Sequence, residues 1–309
     1  MTDCANIVGG DYEHTLGVGG VWRNIEIRYR TATLAPVFFK MLRERCYEVC
    51  EFSLANYLML RDRGEDWLQA LPIFPYRAFR HSTLHVRSKS ILNSPADLAN
   101  MRLGVPDFSM TAAVWTRGIL SEHYGVDWRR IQWVVATPQR FSSLPEVQLD
   151  QIEGDLEQEL LEGRIDALLT TRTKDQQAPA ERRQLRALIP DVEEVERKYF
   201  ASTGIYPINH VVVVRKDVLN RLPDLATALF EAYSDSKQRA YERRLGATLA
   251  PWASSHWRDV FDLFEGDPLP YGLVEQNKGT LLTFSRYLRQ QGLIHNEMDP
   301  TTLFVGDLT

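Results

Sequence analysis

The chain has 309 residues, 44% hydrophobic and 25% charged, with a formal net charge of -5. That is the make-up of a globular chain long enough for two cores. It offers no basic field for nucleic acid and no polybasic run for a membrane surface, so the expected partners are small molecules and further copies of the chain in a homo-oligomer.

Residues Met1 to Gly10 have neither the basic nor the apolar region of a secretory signal. No stretch approaches the roughly 20 apolar residues of a membrane span, and a cytoplasmic location is expected. Cys4, Cys46 and Cys50 lack the paired spacing of a zinc site and are expected to be reduced and mostly buried. A strand at Ala5 to Val8 runs into Gly9-Gly10-Asp11, the kind of strand end at which an α/β sheet presents ligand contacts. Leu34, Val37, Phe38, Met41 and Leu42 fall at helical spacing within Thr33 to Arg45. A second strand, Tyr47 to Cys50, leads to Glu51-Phe52-Ser53. Ser53 suits the N-cap of a helix over Leu54 to Leu60, which puts Glu51 and Ser53 at the same edge as Asp11.

The stretch Ile73 to Ser82 then brings Arg77, Arg80 and His81 close together ahead of an alternating run, Thr83 to Arg87. Read as extended chain, it turns Arg80 and Ser82 to one side and His81 and Thr83 to the other. Guanidinium forks suit carboxylates and an imidazole titrates near neutrality, so the pattern predicts a site for a small acid on which proton chemistry is done. Beyond it lie a strand at Met101 to Pro106 and a helix at Ala112 to Tyr124, with Ser109 and Thr111 at the helix start as caps or as anion ligands. A strand at Ile131 to Val135, a loop over 136–150, a helix from Gly154 to Leu161, a strand from Arg164 to Thr170 and an exposed loop over 172–185 follow. Tyr206 to His210 opens the return, and Val211 to Val214 read as a buried strand that is a natural partner for the strand after His81. The remainder reads as helical, from Leu219 to Arg244 and from Thr280 to Gln291.

The order of elements, with "SPADL", "RLGVP", "LLEGRIDALL" and "RKDVLNRLPDL", resembles the type II periplasmic solute-binding fold. More narrowly, "FPYRAFRHS", "GVPDFSMTAAVWTRGIL", "YPINHVVVV" and "DPLPYGL" resemble the 4,5-dihydroxyphthalate decarboxylase family, over nearly the whole chain. The resemblance implies an α/β fold of two lobes with a cleft between them and two crossing strands, 1–86 with 210–309 forming one lobe and 87–209 the other. It also implies that the cleft gathers Asp11, His14, Glu51, Ser53, Arg77, Arg80, His81, Ser109, Thr111, Trp115, Arg117 and His210, with Asn209 as a further substrate contact. Asn209 stands where the family commonly has Met, beside His210, a departure that bears on the substrate more than on the reaction.

The reaction implied is decarboxylation of a hydroxylated aromatic acid, with 4,5-dihydroxyphthalate giving protocatechuate and CO2. A carboxyl para to a phenol leaves once its ring carbon is protonated, and no electron-sink cofactor is expected. His81 or His210 would give the proton and Glu51 or Asp11 would orient an imidazole. Arg77 and Arg80, helped by Ser109 and Thr111, would bind carboxylates, and Trp115 would stack on the ring. A divalent metal on Glu51, His81 and His210 is the alternative use of those residues. A non-catalytic solute binder, or a lyase acting on another cyclic carboxylate, is the alternative function on this fold.

Overall fold

In the computed structural model, which describes residues 3–136, 139–141, 148–246, 250–299, 302–306 and 308, the chain opens with β1 (Asp3–Gly9). The hairpin of β2 (Gly20–Trp22) and β3 (Ile25–Thr31) follows, then α1 (Leu34–Glu44), β4 (Val49–Ser53), α2 (Leu54–Asp62) and β5 (Leu68–Leu71). After a first crossing come β6 (Leu84–Arg87), β7 (Arg102–Gly104), α3 (Thr111–Tyr124), β8 (Gln132–Val135) and β9 (Leu149–Gln151). These are followed by α4 (Leu156–Leu161), β10 (Ala167–Leu169), β11 (Leu185–Ala187) and α5 (Val192–Thr203). The return leads into β12 (His210–Arg215), and the chain ends with α6 (Lys216–Arg221), α7 (Leu225–Gly246), α8 (Ala253–Leu263) and α9 (Glu275–Gln290). Residues 137, 138 and 142–147 of the loop predicted over 136–150 lie outside the described residues.

Two compact units result. One comprises Met1–Arg77, Ile208–Leu281 and Met298–Thr309, and the other Ala78–Pro207 and Leu282–Glu297. The division places the first crossing nearer Arg77 than Arg87, and it groups Leu282–Glu297 with the second unit, where the resemblance implied the first lobe. The physical reason for the second shift is that Phe284 and Tyr287 of α9 pack on Trp115 of α3, at ring separations of 4.9 and 5.6 Å. The passages between units run side by side. Arg77 bridges Ile208 in antiparallel fashion, and Ala78 N–H donates to the Pro207 carbonyl at 3.2 Å.

The first unit is built on a six-stranded sheet of order β2-β3-β1-β4-β12-β5. β12 lies antiparallel between β4 and β5, so both its edges are paired, and its four successive valines have no accessible surface on either face. The expected pairing of this strand with the one after His81 does not occur, because β6 belongs to the second unit's sheet, of order β11-β6-β10-β7-β8-β9. One face of the first sheet, with Ala5, Ile7, Val49, Val212 and Val214, closes on Leu225, Leu229, Ala232 and Tyr233 of α7. In the second unit, Val134, Ile165 and Leu168 pack on Leu156 and Leu160 of α4.

Several local expectations are corrected. The segment His81–Thr83 is a turn of 3-10 helix and not the start of a strand. Thr83 donates to the Arg80 carbonyl through both its hydroxyl, at 2.6 Å, and its N–H, at 3.3 Å, and this closed turn removes the two-sided alternation predicted there. The helix expected from Leu219 to Arg244 is broken into α6 and α7 at Leu222 to Asp224, where Pro223 has no N–H to donate and its ring crowds the preceding turn. Cys46 is exposed, Cys4 half-buried and Cys50 buried. No described helix is long and apolar enough to cross a membrane.

Gly118 shows how closely α3 and α9 approach, since a Cβ there would overlap the Tyr287 ring. Gly118→Ala is therefore expected to cost about 1–3 kcal/mol by overpacking, read as a lower urea midpoint with an unchanged slope. An unshifted midpoint would show that Tyr287 moves aside freely.

Candidate active site

β1 and β4 are parallel, with Val8 opposite Cys50, and β12 runs antiparallel to β4, with His210 opposite Ser53 and Val212 opposite Glu51. The ends of β1 and β4 and the start of β12 thus share one edge of the sheet. Residues directly opposite in register share a face, so His210 and Glu51 lie diagonally on the same side. Their side chains meet there, His210 Nδ1 to Glu51 Oε1 at 2.5 Å.

Glu51 has no accessible surface. Gly10 N–H donates to its Oε2 at 2.8 Å, and the Tyr12 hydroxyl donates to its Oε1 at 2.9 Å. With His210, three donors converge on one carboxyl group, which is the demand of a carboxylate anion kept from water. Facing that acceptor, Nδ1 of His210 carries the hydrogen, and Nε2 remains for proton transfer. The His210 side chain retains 16% of its surface. Its ring meets Tyr76 at 4.9 Å and Phe38 edge-on at 5.0 Å.

The glycine pair after β1 has a steric cause. A Cβ on Gly10 would overlap the Tyr12 ring and one on Gly9 the Tyr29 ring, whose hydroxyl donates to the Gly10 carbonyl at 2.8 Å. Tyr12 is sandwiched in parallel between His14, at 5.3 Å, and Tyr76, at 5.7 Å. His14 Nε2 donates to the Pro75 carbonyl at 2.8 Å and so ties the Tyr12 loop to the Tyr76 loop, while burial holds its pKa below the ordinary range. Burial, reinforced by the Glu51 charge, raises the Tyr12 phenol well above its ordinary range, so it stays a donor.

Of the other residues expected in this unit, Asp11 is exposed. Ser53 is buried and accepts from Asn56 N–H at 3.4 Å, capping α2 as predicted. Asn209 is buried, and its backbone bonds Tyr76 and Leu54. Arg77 is buried and donates to the Pro270 carbonyl at 2.8 Å and to the Asn277 side chain, so it holds the segment leading to Gly272. Tyr12 and Tyr76 were not anticipated as site residues. The signal available was Gly9-Gly10, two missing side chains in succession where rings come close.

The second unit holds the remaining candidates. The His81 side chain is 1% exposed and packs on Tyr199 at 5.1 Å, with its Nδ1 3.8 Å from Glu196 Oε1. That spacing is within ion-pair range, yet burial opposes charge on both partners. His81 is lowered to about 4 by burial and then by His123. Glu196 is raised to about 7 by burial, against the backbone donors Ser82 and His81 and the Arg80 charge. A neutral imidazole walled in this way is a poor proton donor near neutrality, which corrects the catalytic role expected of His81. Arg80 is likewise buried, at the turn that carries His81. The Ser109 hydroxyl, without accessible surface, donates to Asp107 Oδ1 at 2.6 Å, and Thr111 is the buried first residue of α3, whose N-cap is Met110. Trp115 is fully buried against Phe284 and Tyr287, so it is core and not a platform for a substrate ring. Among the described residues no group of three or more His, Cys, Asp or Glu side chains is arranged to hold a metal ion.

No family model matches the chain. The 4,5-dihydroxyphthalate decarboxylase of Comamonas testosteroni is 32% identical over 286 residues, 87% of this chain and 85% of that protein. The 4,5-dihydroxyphthalate decarboxylase of Pseudomonas putida is 39% identical over 98 residues, 32% of this chain and 38% of that one. Among solved structures, the periplasmic aliphatic sulphonate binding protein of Escherichia coli matches with a TM-score of 0.59 at 11% identity, over 98% of this chain and 97% of its own. That last likeness is one of fold: the two-lobed α/β architecture of the periplasmic binding proteins.

Glu196 supplies a pH test. With a folded value of about 7 against a model-compound 4.5, it contributes stability that is full below about pH 4.5 and lost as pH rises through 7. Glu196→Gln keeps an acceptor oxygen and cannot ionise. Its stability relative to wild type should rise by ~2 kcal/mol between about pH 5 and 8, a figure discounted for partial exposure, as read from urea denaturation. His81 is common to both proteins, so only its coupling to Glu196, 3.8 Å away, enters the difference. A difference that stays constant across this range overturns the assignment.

Proposed function

The chain belongs to the 4,5-dihydroxyphthalate decarboxylase family, and from that premise we propose that it converts 4,5-dihydroxyphthalate to protocatechuate and CO2, with His210 as the proton donor. That it is a carboxy-lyase follows from the family. The substrate and the residue roles are the proposal, and the observation that carries them is the 2.5 Å contact between His210 Nδ1 and a fully buried Glu51.

The chemistry needs a proton at the ring carbon bearing the leaving carboxylate. The phenol para to that carbon releases electron density into the ring, and a dienone-like intermediate forms as the C–H bond is made. The carbon–carbon bond pair then returns to the ring, aromaticity is restored and CO2 departs. One proton is consumed, and His210 recovers it from solvent. Glu51 stays an anion throughout: it fixes the tautomer and offsets charge on the imidazolium before transfer. The ring itself can act as the electron reservoir, so no cofactor is invoked for that role. Tyr76, half-buried and 4.9 Å from the His210 ring, takes over the stacking role first expected of Trp115.

The decisive assay is release of CO2 from 4,5-dihydroxyphthalate, with the ring product identified by mass, using protein stripped of metal and again with divalent metal added. His210→Ala should lower kcat by about 100-fold or more with a smaller change in KM, and Glu51→Gln should lower it in the same sense. Full activity in His210→Ala removes the proposed donor. Turnover only with metal present makes the same two side chains candidate ligands.

A further inference from the structure

The Tyr12 hydroxyl and His210 Nδ1 both donate to the same oxygen, Oε1 of Glu51, at 2.9 and 2.5 Å, while Gly10 N–H occupies Oε2. From this shared acceptor we propose that Tyr12 is a positioning residue that sets how strongly Glu51 holds a charged His210, and through it the pH range in which His210 can give a proton. The inference deepens the decarboxylase reading and rests on it for its kinetic meaning.

A carboxylate oxygen that already accepts a hydrogen bond has part of its charge neutralised, so it attracts a neighbouring imidazolium less strongly. Tyr12 is fitted to this job by its surroundings. Its ring cannot swing away without breaking the parallel contacts with His14 and Tyr76, and Gly10 leaves the space it occupies. Its phenol is kept protonated by burial and by the Glu51 charge, so the donor is present at any working pH. The groups facing His210 are Glu51 from β4, Tyr76 from the loop after β5 and Phe38 from α1, with Tyr12 and then His14 beyond the carboxylate. Burial biases His14 toward the neutral form and outweighs the opposing effect of its bond to the Pro75 carbonyl. Beside the Gly10 amide on Oε2, Tyr12 is therefore the side chain whose hydrogen bond acts on the same Glu51 oxygen that His210 uses.

The test is the ionisation midpoint of His210, followed by its ring signals in NMR and assigned by their loss in His210→Ala. In Tyr12→Phe the ring stack is kept and only the donor is lost. The midpoint should move up by about 0.5 pH unit, a roughly threefold change in proton affinity. The descending limb of the rate profile for CO2 release should move up with it. Placing 3-fluorotyrosine at position 12 by site-specific incorporation gives a more acidic phenol and a stronger donor, so the midpoint should move down. This second substitution keeps the test alive if Tyr12→Phe does not fold. An unchanged midpoint in either folded protein overturns the role of Tyr12. Midpoints that shift as stated in a protein that releases no CO2 would uphold the coupling and sink the decarboxylation, so the two failures are told apart. A change in folding stability alone, without a shifted midpoint, would mark Tyr12 as packing only.

Discussion

A carboxylate without accessible surface is costly unless donors surround it, and Glu51 obtains its three donors from two separate parts of the chain: Gly10 and Tyr12 in the loop after β1, and His210, the first residue of β12. Each segment has its own support, the ring stack for Tyr12 and the strand ladder for β12, and each is also tied to a buried charge that would lack a partner if the bond were lost. The carboxylate thereby fixes the backbone at Gly10, the ring plane of Tyr12 and the tautomer of His210 at once. The cost of burying it is spread over groups to which the proposed chemistry assigns a role.

That constraint explains why so little of the fold is specific to the reaction. The fold is shared in outline with a sulphonate binding protein at 11% identity, and in this chain the first sheet has the order β2-β3-β1-β4-β12-β5. Strand order delivers the ends of β1 and β4 and the start of β12 to one edge, and any protein with this topology has such an edge. What this chain places at that edge is a Glu two residues before the cap of α2, a His at the entry of β12, and two glycines that admit aromatic rings against the backbone.

The sequence was most legible where burial is two-sided or a cap is explicit. Val211–Val214 could be read as a buried strand because four valines in succession have no solvent face, and Ser53 could be read as a helix cap because its hydroxyl precedes a run of apolar residues. The pairing Glu51 with His210 was within reach as residue types at strand ends, but not as a contact. The two are 159 positions apart, and only the antiparallel register of β4 and β12 brings them together. The turn at His81 was misread for a local reason. Alternation along Arg80 to Thr83 looks extended, whereas Thr83 closes it by bonding back to the Arg80 carbonyl with hydroxyl and amide together. Trp115 was misplaced for the opposite reason. A large aromatic on a helix is consistent with a platform or a core, and its partners, Phe284 and Tyr287, come from a helix much later in the chain.

His81 and His210 carry the same side chain into opposite electrostatic situations, and the difference is the state of the nearest carboxyl group. Glu196 is held near neutrality by burial with two backbone donors and no side-chain hydroxyl on it, and it stands 3.8 Å from a ring with almost no surface. Neither partner gains enough from the other to offset desolvation, so His81 stays neutral near pH 7 and Glu196 ionises only as pH rises through about 7. Glu51 is buried more deeply, yet three donors satisfy its acceptor capacity, and it lies at hydrogen-bonding distance from a ring that keeps part of its surface. An imidazole next to the first kind of acid has no means of carrying a proton to a substrate near neutrality. An imidazole next to the second is oriented, charge-compensated and still reachable, which is what a proton donor to carbon requires.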